Sequence, residues 1–241
     1  MMKTQVQERF SEFFEKWLLQ IESNIQQLLS VHRDPSHEPE HRSLICKIMN
    51  HYKEYYSTKW ACVHDDILGF FSPPWLTPLE NAYLWMTGWK PSMLYRLVHS
   101  LRHAKVPGTS LSNLSEDQLK KIEELRLRTS MEEEKVEREM ERQQVSMADR
   151  KMVELARLAT RVRNGEIVRE VDGLVEVALK VLLGGLEKLL KTADCVRLKA
   201  LKGVLEVLSP LQCVDFMAAF FMVQFQMRRL GKTRIRNGDL S

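Results

Sequence analysis

The sequence is poor in the residues that punctuate a chain, with 10 glycines, 8 prolines and 4 cysteines in 241 positions. So few breakers exclude collagen-like and low-complexity architectures and predict long regular elements. Cys46, Cys62, Cys195 and Cys213 lie far apart with no C-x-x-C pair, which excludes a disulfide framework and a zinc ribbon and predicts reduced, buried thiols. No window approaches the run of about 20 apolar residues that a membrane span needs. The opening MMKTQVQERFSEFFEKWLLQ carries charges throughout, unlike the apolar centre of a signal peptide. The expected location is therefore nucleus and cytoplasm, with no membrane partner. A P-loop, a Rossmann glycine fingerprint, G-x-S-x-G and H-E-x-x-H are also missing, so no enzymatic activity is expected.

Excess charge is scarce as well, at +4 overall. What excess there is gathers in RRLGKTRIR, residues 228–236, a cluster that suits phosphate, an acidic partner or an import receptor, or is simply a solvated tail.

What the chain has in plenty is helical periodicity. From Gln5 to Val31, apolar residues from Phe10 to Leu29 recur at three- and four-residue steps, the stripe of an amphipathic helix. HRDPSHEPEH interrupts, and a second helix is expected from about Ser43 to Phe70. T-P-x-E at Thr77, Pro78 and Glu80 is a capping box with proline at the first helical position, so a helix should begin there, with Gly88 ending it. Pro91 restarts a helix carrying Met93, Leu94, Leu97, Val98 and Leu101, and the loop AKVPGTSLSN follows. Ser115 and Gln118 cap a charged helix from Glu116 to about Arg163 that is expected to break near Ser146; its apolar positions are too sparse for a convincing coiled-coil seam. RNGE at 163–166 marks a stop before a Val- and Leu-rich helix to about Leu190, and Thr192 is expected to cap another. Ser209, Pro210 and Gln212 open the last helix, Leu211 to Leu230, apolar nearly all round and thus central to the core. The fold class is all-α, a multi-helix bundle with long helices and no sheet. One domain over 1–241 is expected, with 230–241 as a flexible basic tail.

Few residues suggest chemistry. His99 and His103 stand four apart and share a helix face, a geometry that suits a metal or haem ligand pair and equally suits ordinary surface histidines. His32, His37, His41 and His51 show no ligand pattern. Adjacent Asp65 and Asp66 point apart on a helix and are expected to be solvated. An interior rich in Phe, Met and Trp can hold an apolar molecule, though the same composition describes a packed core. The tryptophans are harder to set aside, since Trp75, Trp85 and Trp89 fall within PPWLTPLENAYLWMTGWKPS. Trp85 and Trp89 are expected on one helix face, anchoring the core or forming an interface hot spot.

This segment resembles the signature of the plant DELAY OF GERMINATION (DOG) domain, which is shared by seed-dormancy regulators and the C-terminal half of TGACG-binding bZIP transcription factors. The residues that carry the resemblance are Trp75, Pro78, Leu79, Glu80, Trp85, Gly88, Trp89, Pro91 and Ser92, with LVHSL, LSNLSEDQLKKIEELRLRT, EEEK, VLSPLQCVDFMAAF and FFEKWLLQIESNIQQLL elsewhere. The resemblance implies an all-α, non-catalytic regulator of dormancy, maturation and abscisic acid signalling. It implies binding to clade A type 2C protein phosphatases, with self-association and DNA-binding transcription factors as further partners. No basic region precedes heptads, so direct bZIP-type reading of DNA is not expected. The N-terminal stripe Phe13, Trp17, Gln20 and Ile21 is assigned to partner binding, and Trp75, Glu80, Trp85, Trp89 and Arg96 to the domain's organising cluster. Some dormancy proteins are thought to bind haem through two histidines four apart on the last helix. Gln224 and Arg228 occupy the matching positions, so no haem is expected there, and His99 with His103 would be the substitute.

Overall fold

The computed structural model describes residues 4–103, 110–163 and 169–236. Within them the helices are α1 (Gln5–Leu29), α2 (Glu38–Val63), α3 (Ile67–Phe71), α4 (Pro78–Ala82), α5 (Met93–His103), α6 (Glu116–Ser146), α7 (Arg150–Arg163), α8 (Arg169–Val207) and α9 (Pro210–Arg236). No strand occurs among the described residues, and the fold is all-α. Residues 104–109, 164–168 and 237–241 lie outside the described residues, so the loop, part of the expected RNGE stop and the end of the expected tail are not placed.

α9 packs against α1, α2, α4 and α5. Its Phe216, Phe220 and Phe221 are fully buried, and Phe220 and Phe221 meet Tyr52 of α2, as an apolar surface on all sides demands. α6 and α8 form a second, antiparallel layer. Gln118 Nε2 donates to the Val207 carbonyl at one end, and Gln143 lies against Gly185 at the other. The sparse apolar face of α6 is thus covered within the chain.

Capping boxes start these helices where the sequence places them. Thr4 with Gln7, Thr77 with Glu80 and Ser115 with Gln118 each exchange side-chain and backbone bonds. Ser209 and Gln212 do the same, at 2.9 and 3.4 Å. Ser115 is exposed and its box is local, so Ser115→Ala is expected to cost about 1 kcal/mol of unfolding free energy, read as a lower urea midpoint.

Six expectations need correction. α2 starts at Glu38, before the expected Ser43, because Pro39 sits in its first turn, where a missing N–H costs nothing. The helix does not reach Phe70. It stops at Val63, and Asp66 caps α3 through Gly69 N while accepting from Thr4 Oγ1 and Gln7 Nε2, so Asp66 ties the chain's start to α3 instead of facing solvent alone. α8 runs unbroken through Thr192, whose hydroxyl donates to the Lys188 carbonyl at 2.8 Å and so caps nothing. α9 continues past Leu230 to Arg236. Cys46 and Cys195 are exposed, and only Cys62 and Cys213 are buried.

Candidate functional site

α4 ends at Ala82, so Trp85 and Trp89 do not share a helix face as expected. The chain makes a tight turn instead. Trp85 N donates to the Gly88 carbonyl at 2.7 Å and Gly88 N returns to Trp85 O at 3.1 Å. Met86 and Thr87 adopt φ of 43° and 66°, the left-handed region that residues with a β-carbon enter at a cost. Something outside the turn must hold it there.

That group is Arg197 of α8, which is wholly buried. Its Nε donates to Trp89 O at 2.7 Å, and Nη2 donates to the carbonyls of Trp85 and Met86. Its guanidinium also lies over the Trp85 ring, 5.2 Å from the centroid. A β-carbon on Gly88 would sit 2.7 Å from the Arg197 Cζ, which is why this position takes glycine. Arg197 is neutralised by Asp194, one turn earlier, at 2.6 Å. Asp194 also accepts from Lys59 at 3.0 Å and Trp60 Nε1 at 3.0 Å, and Lys59 reaches Thr87 Oγ1 at 3.0 Å. Burial pushes the Lys59 ammonium down to about 8, and Asp194 opposes that fall. Two cations, one anion and the turn's carbonyls form a fully interior lattice.

A second tie holds the turn from α6. Trp85 Nε1 and Lys90 Nζ both donate to Glu137 Oε1 at 2.8 Å. Glu133, 4% exposed, accepts from Ser92 N at 2.6 Å, and burial raises its carboxyl above the ordinary range. Pro91 is buried, and Ser92 is half-buried just ahead of α5.

At the other end of the signature, Trp75 is 9% exposed among Phe10 and Phe70, while Pro78 and Leu79 form the first turn of α4. Glu80 caps Thr77 N and also accepts from Arg228 of α9. Arg228 is 6% exposed, donates to Trp75 O at 3.1 Å and pairs with Glu15. The basic cluster therefore loses its first member to the interior, while Arg229, Lys232 and Arg234 stay exposed.

Between these ends lies a cleft of about 350 Å³, with Phe14, Trp17, Tyr52, Trp75, Met93 and Phe225 among its walls. Haem does not fit the residues present. A guanidinium has no lone pair for iron, the Arg228 head is already engaged, and the Gln224 amide is no haem ligand either. His99 and His103 lie on the exposed side of α5 with ring centroids 4.3 Å apart, and His103 Nδ1 donates to the His99 carbonyl. Two rings side by side on one helix do not sandwich a porphyrin. Among the described residues no cluster of three or more His, Cys, Asp or Glu has metal-binding geometry.

The N-terminal stripe divides. Ile21 is 2% exposed and belongs to the main core. Phe13, Trp17 and Gln20 are half-buried, with the Trp17 ring 4.6 Å from Tyr55. Leu19, which the sequence did not single out, is 67% exposed on another face of α1. Arg96 is exposed and lines a separate cleft with His99, away from Arg197 and its partners.

Sequence reasoning missed Lys59, Asp194 and Arg197, and a signal existed. Ile48, Tyr52, Tyr56, Lys59 and Val63 are all buried on one face of α2, and Leu190, Asp194, Arg197, Leu201 and Val204 on one face of α8. A charge in register with an apolar stripe is a buried charge, and a buried charge needs a partner.

The family described as "DOG1: Seed dormancy control" matches residues 24–100, which run from the end of α1 through most of α5 and include the whole turn. The chain is 52% identical over 234 residues to Protein DOG1-like 4 of Arabidopsis thaliana, covering 97% of this chain and 96% of that protein. It is 27% identical over 237 residues to Protein RESPONSE TO ABA AND SALT 1 of Arabidopsis thaliana, covering 95% and 97% of the two chains. It is 29% identical over 203 residues to Transcription factor TGA2.3 of Oryza sativa subsp. japonica, covering 84% of this chain and 57% of that factor. No described helix is long and apolar enough to cross a membrane.

Proposed function

From the premise that the chain belongs to the DOG1 seed-dormancy family, we propose that it is a non-enzymatic regulator of seed dormancy, maturation and abscisic acid response that works by protein contact. Clade A type 2C protein phosphatases are its partner class. The observation that carries this reading is the likeness to DOG1-like 4 along nearly the whole of both chains. Supporting it, Arg197, Asp194 and Lys59 are spent on one another, on the Trp60 indole and on the signature turn's backbone and Thr87 hydroxyl. The accessible edge of α1 that carries Phe13 and Gln20 is the contact surface in this reading.

Titration of the full chain against clade A phosphatases is expected to give saturable binding that Gln20→Arg weakens by about tenfold or more while helical circular dichroism is unchanged. Gln20 is the cleaner probe, because Trp17 supports Tyr52 and Tyr55 in the core. Equal binding by the variant would move the contact off α1.

Absence of binding to every clade A member would favour a second reading, a nuclear transcriptional cofactor that reaches DNA only through another factor. The similarity to TGA2.3 over 84% of this chain supports it.

A further inference from the structure

α5 carries Arg96, His99, Arg102 and His103 and no carboxylate of its own. Arg42 of α2 and Arg138 and Arg142 of α6 each meet a glutamate one turn away, at 2.6, 3.4 and 2.6 Å. Among the described residues no hydrogen bond or ion pair engages the guanidinium of Arg96 or Arg102. Both are exposed, as are His99 and Ser100. Arg96, His99 and Arg102 follow one another at three-residue steps, about 4.5 Å apart along the axis, and so form one ridge.

This ridge and Ser100 border a cleft of about 450 Å³, and Leu119, Glu123 and Arg126 of α6 form its far wall. Glu123 is the one carboxylate among the lining residues, and Arg126 occupies both of its oxygens, at 2.8 and 2.6 Å. That pair is self-neutralising, so the charge of Arg96 and Arg102 stands uncompensated across the cleft. Guanidinium groups only donate, and their planar fork matches the oxygens of phosphate or carboxylate. Donors spread over two turns of helix outnumber the two oxygens of a carboxylate, whereas a phosphoryl group offers three and a charge near two. The cleft is much larger than a phosphate group alone, which leaves room for the chain that bears one. Half-buried Leu119 supplies an apolar spot beside the charges.

We propose that the cleft between α5 and α6 binds a phosphorylated serine or threonine in a segment of a partner protein. Arg96 and Arg102 clamp the phosphoryl oxygens, His99 and Ser100 donate between them, and Leu119 takes a neighbouring apolar side chain. Recognition of a phosphorylated segment by an arginine cluster needs no more than this. It also gives Arg96 a task away from the signature turn.

Fluorescence anisotropy on the full chain tests this with three labelled heptapeptide libraries, random at the flanks and fixed at the centre as phosphoserine, serine or glutamate. The phosphoserine library is expected to bind at least about tenfold more tightly than either of the others, the worth of one charge-assisted hydrogen bond. Arg96→Gln and Arg102→Gln should each erase most of that preference with helical circular dichroism unchanged, because both side chains lie on the surface. Arg138→Gln removes the same charge from α6 outside the cleft and should leave the preference intact. Inorganic phosphate at the peptide's own Kd should displace little of it. Equal binding of the three libraries, binding of none, or an unchanged preference in Arg96→Gln with Arg102→Gln would overturn the proposal. A glutamate library that matches phosphoserine would mark a site for acidic segments in general, and ready displacement by inorganic phosphate a site for the free ion; either result overturns it too. Phosphatase titration of Gln20→Arg reads α1, so the two ideas fail separately.

Discussion

Arg197→Met is expected to lower the unfolding free energy by about 3–5 kcal/mol, a large share of the roughly 5–15 kcal/mol that a domain commands. Two losses combine. The carbonyls of Met86 and Trp89 lose their donor and that of Trp85 keeps only Gly88 N, while Asp194 keeps only Lys59 and the Trp60 indole. Arg197→Lys should rescue little, because a single ammonium on a flexible stem cannot span carbonyls from Trp85 to Trp89 in the way a planar fork does. The triple variant Lys59→Met, Asp194→Leu, Arg197→Met separates charge from clamp. Removing a whole buried ionic group is often neutral or stabilising when apolar residues of like volume replace it. Here the carbonyls of Met86 and Trp89 would still lack a donor and the left-handed Met86 and Thr87 their clamp, so the triple variant should remain destabilised in a urea titration. Recovery to the parent midpoint would show that the clamp on the turn contributes nothing.

The same residues explain what was legible in the sequence and what was not. Helix starts were legible because a capping box is a local arrangement: Thr77 and Glu80, or Ser115 and Gln118, need nothing beyond three residues of chain. The all-α class and the central place of α9 follow from periodicity, which is also local. The turn at Trp85 to Gly88 was not legible, since Leu84 to Thr87 read as a helix continuation and groups far along the chain, Arg197 with Lys59 and Glu137, hold the alternative. Thr192 misled for a related reason. A threonine hydroxyl bonds as readily to the carbonyl four residues back as to an orphan N–H, and α8's packing against α6 decides between them. For the candidate site, Trp75, Glu80, Trp85 and Trp89 could be singled out by their clustering in the sequence, but their arrangement waited on Lys59, Asp194 and Arg197. The cleft's walls come from α1, α2, α4 and α9, and no spacing rule within any one helix announces that they meet.

Gly231→Ala is expected to cost about 2–3 kcal/mol, although alanine is intrinsically better than glycine inside a helix by about 1 kcal/mol. The sign is set by space. A β-carbon at position 231 would lie 2.2 Å from Thr77 Oγ1 and 2.7 Å from Thr77 Cβ, and neither atom belongs to a freely moving chain end. Thr77 is 5% exposed and fixed from both sides of its box, accepting from Glu80 N at 3.2 Å while its own N donates to Glu80 at 2.7 Å. Either α9 retreats from α4, at the about 1–3 kcal/mol typical of overpacking, or the box opens, at about 1 kcal/mol more. Opening the box also loosens Glu80, and with it one of the two carboxylates on Arg228. Thr77→Gly removes the obstructing atoms while keeping a residue type that helix starts tolerate. The double variant Thr77→Gly, Gly231→Ala should therefore be more stable than Gly231→Ala alone, giving a coupling energy of about 1 kcal/mol or more in a double-mutant cycle. Strict additivity would mean that the two helices do not meet closely at this point. Coupling would show that the glycine which follows Leu230 in the last helix is there to let the capping box of α4 dock, and through Glu80 and Arg228 to set the floor of the cleft.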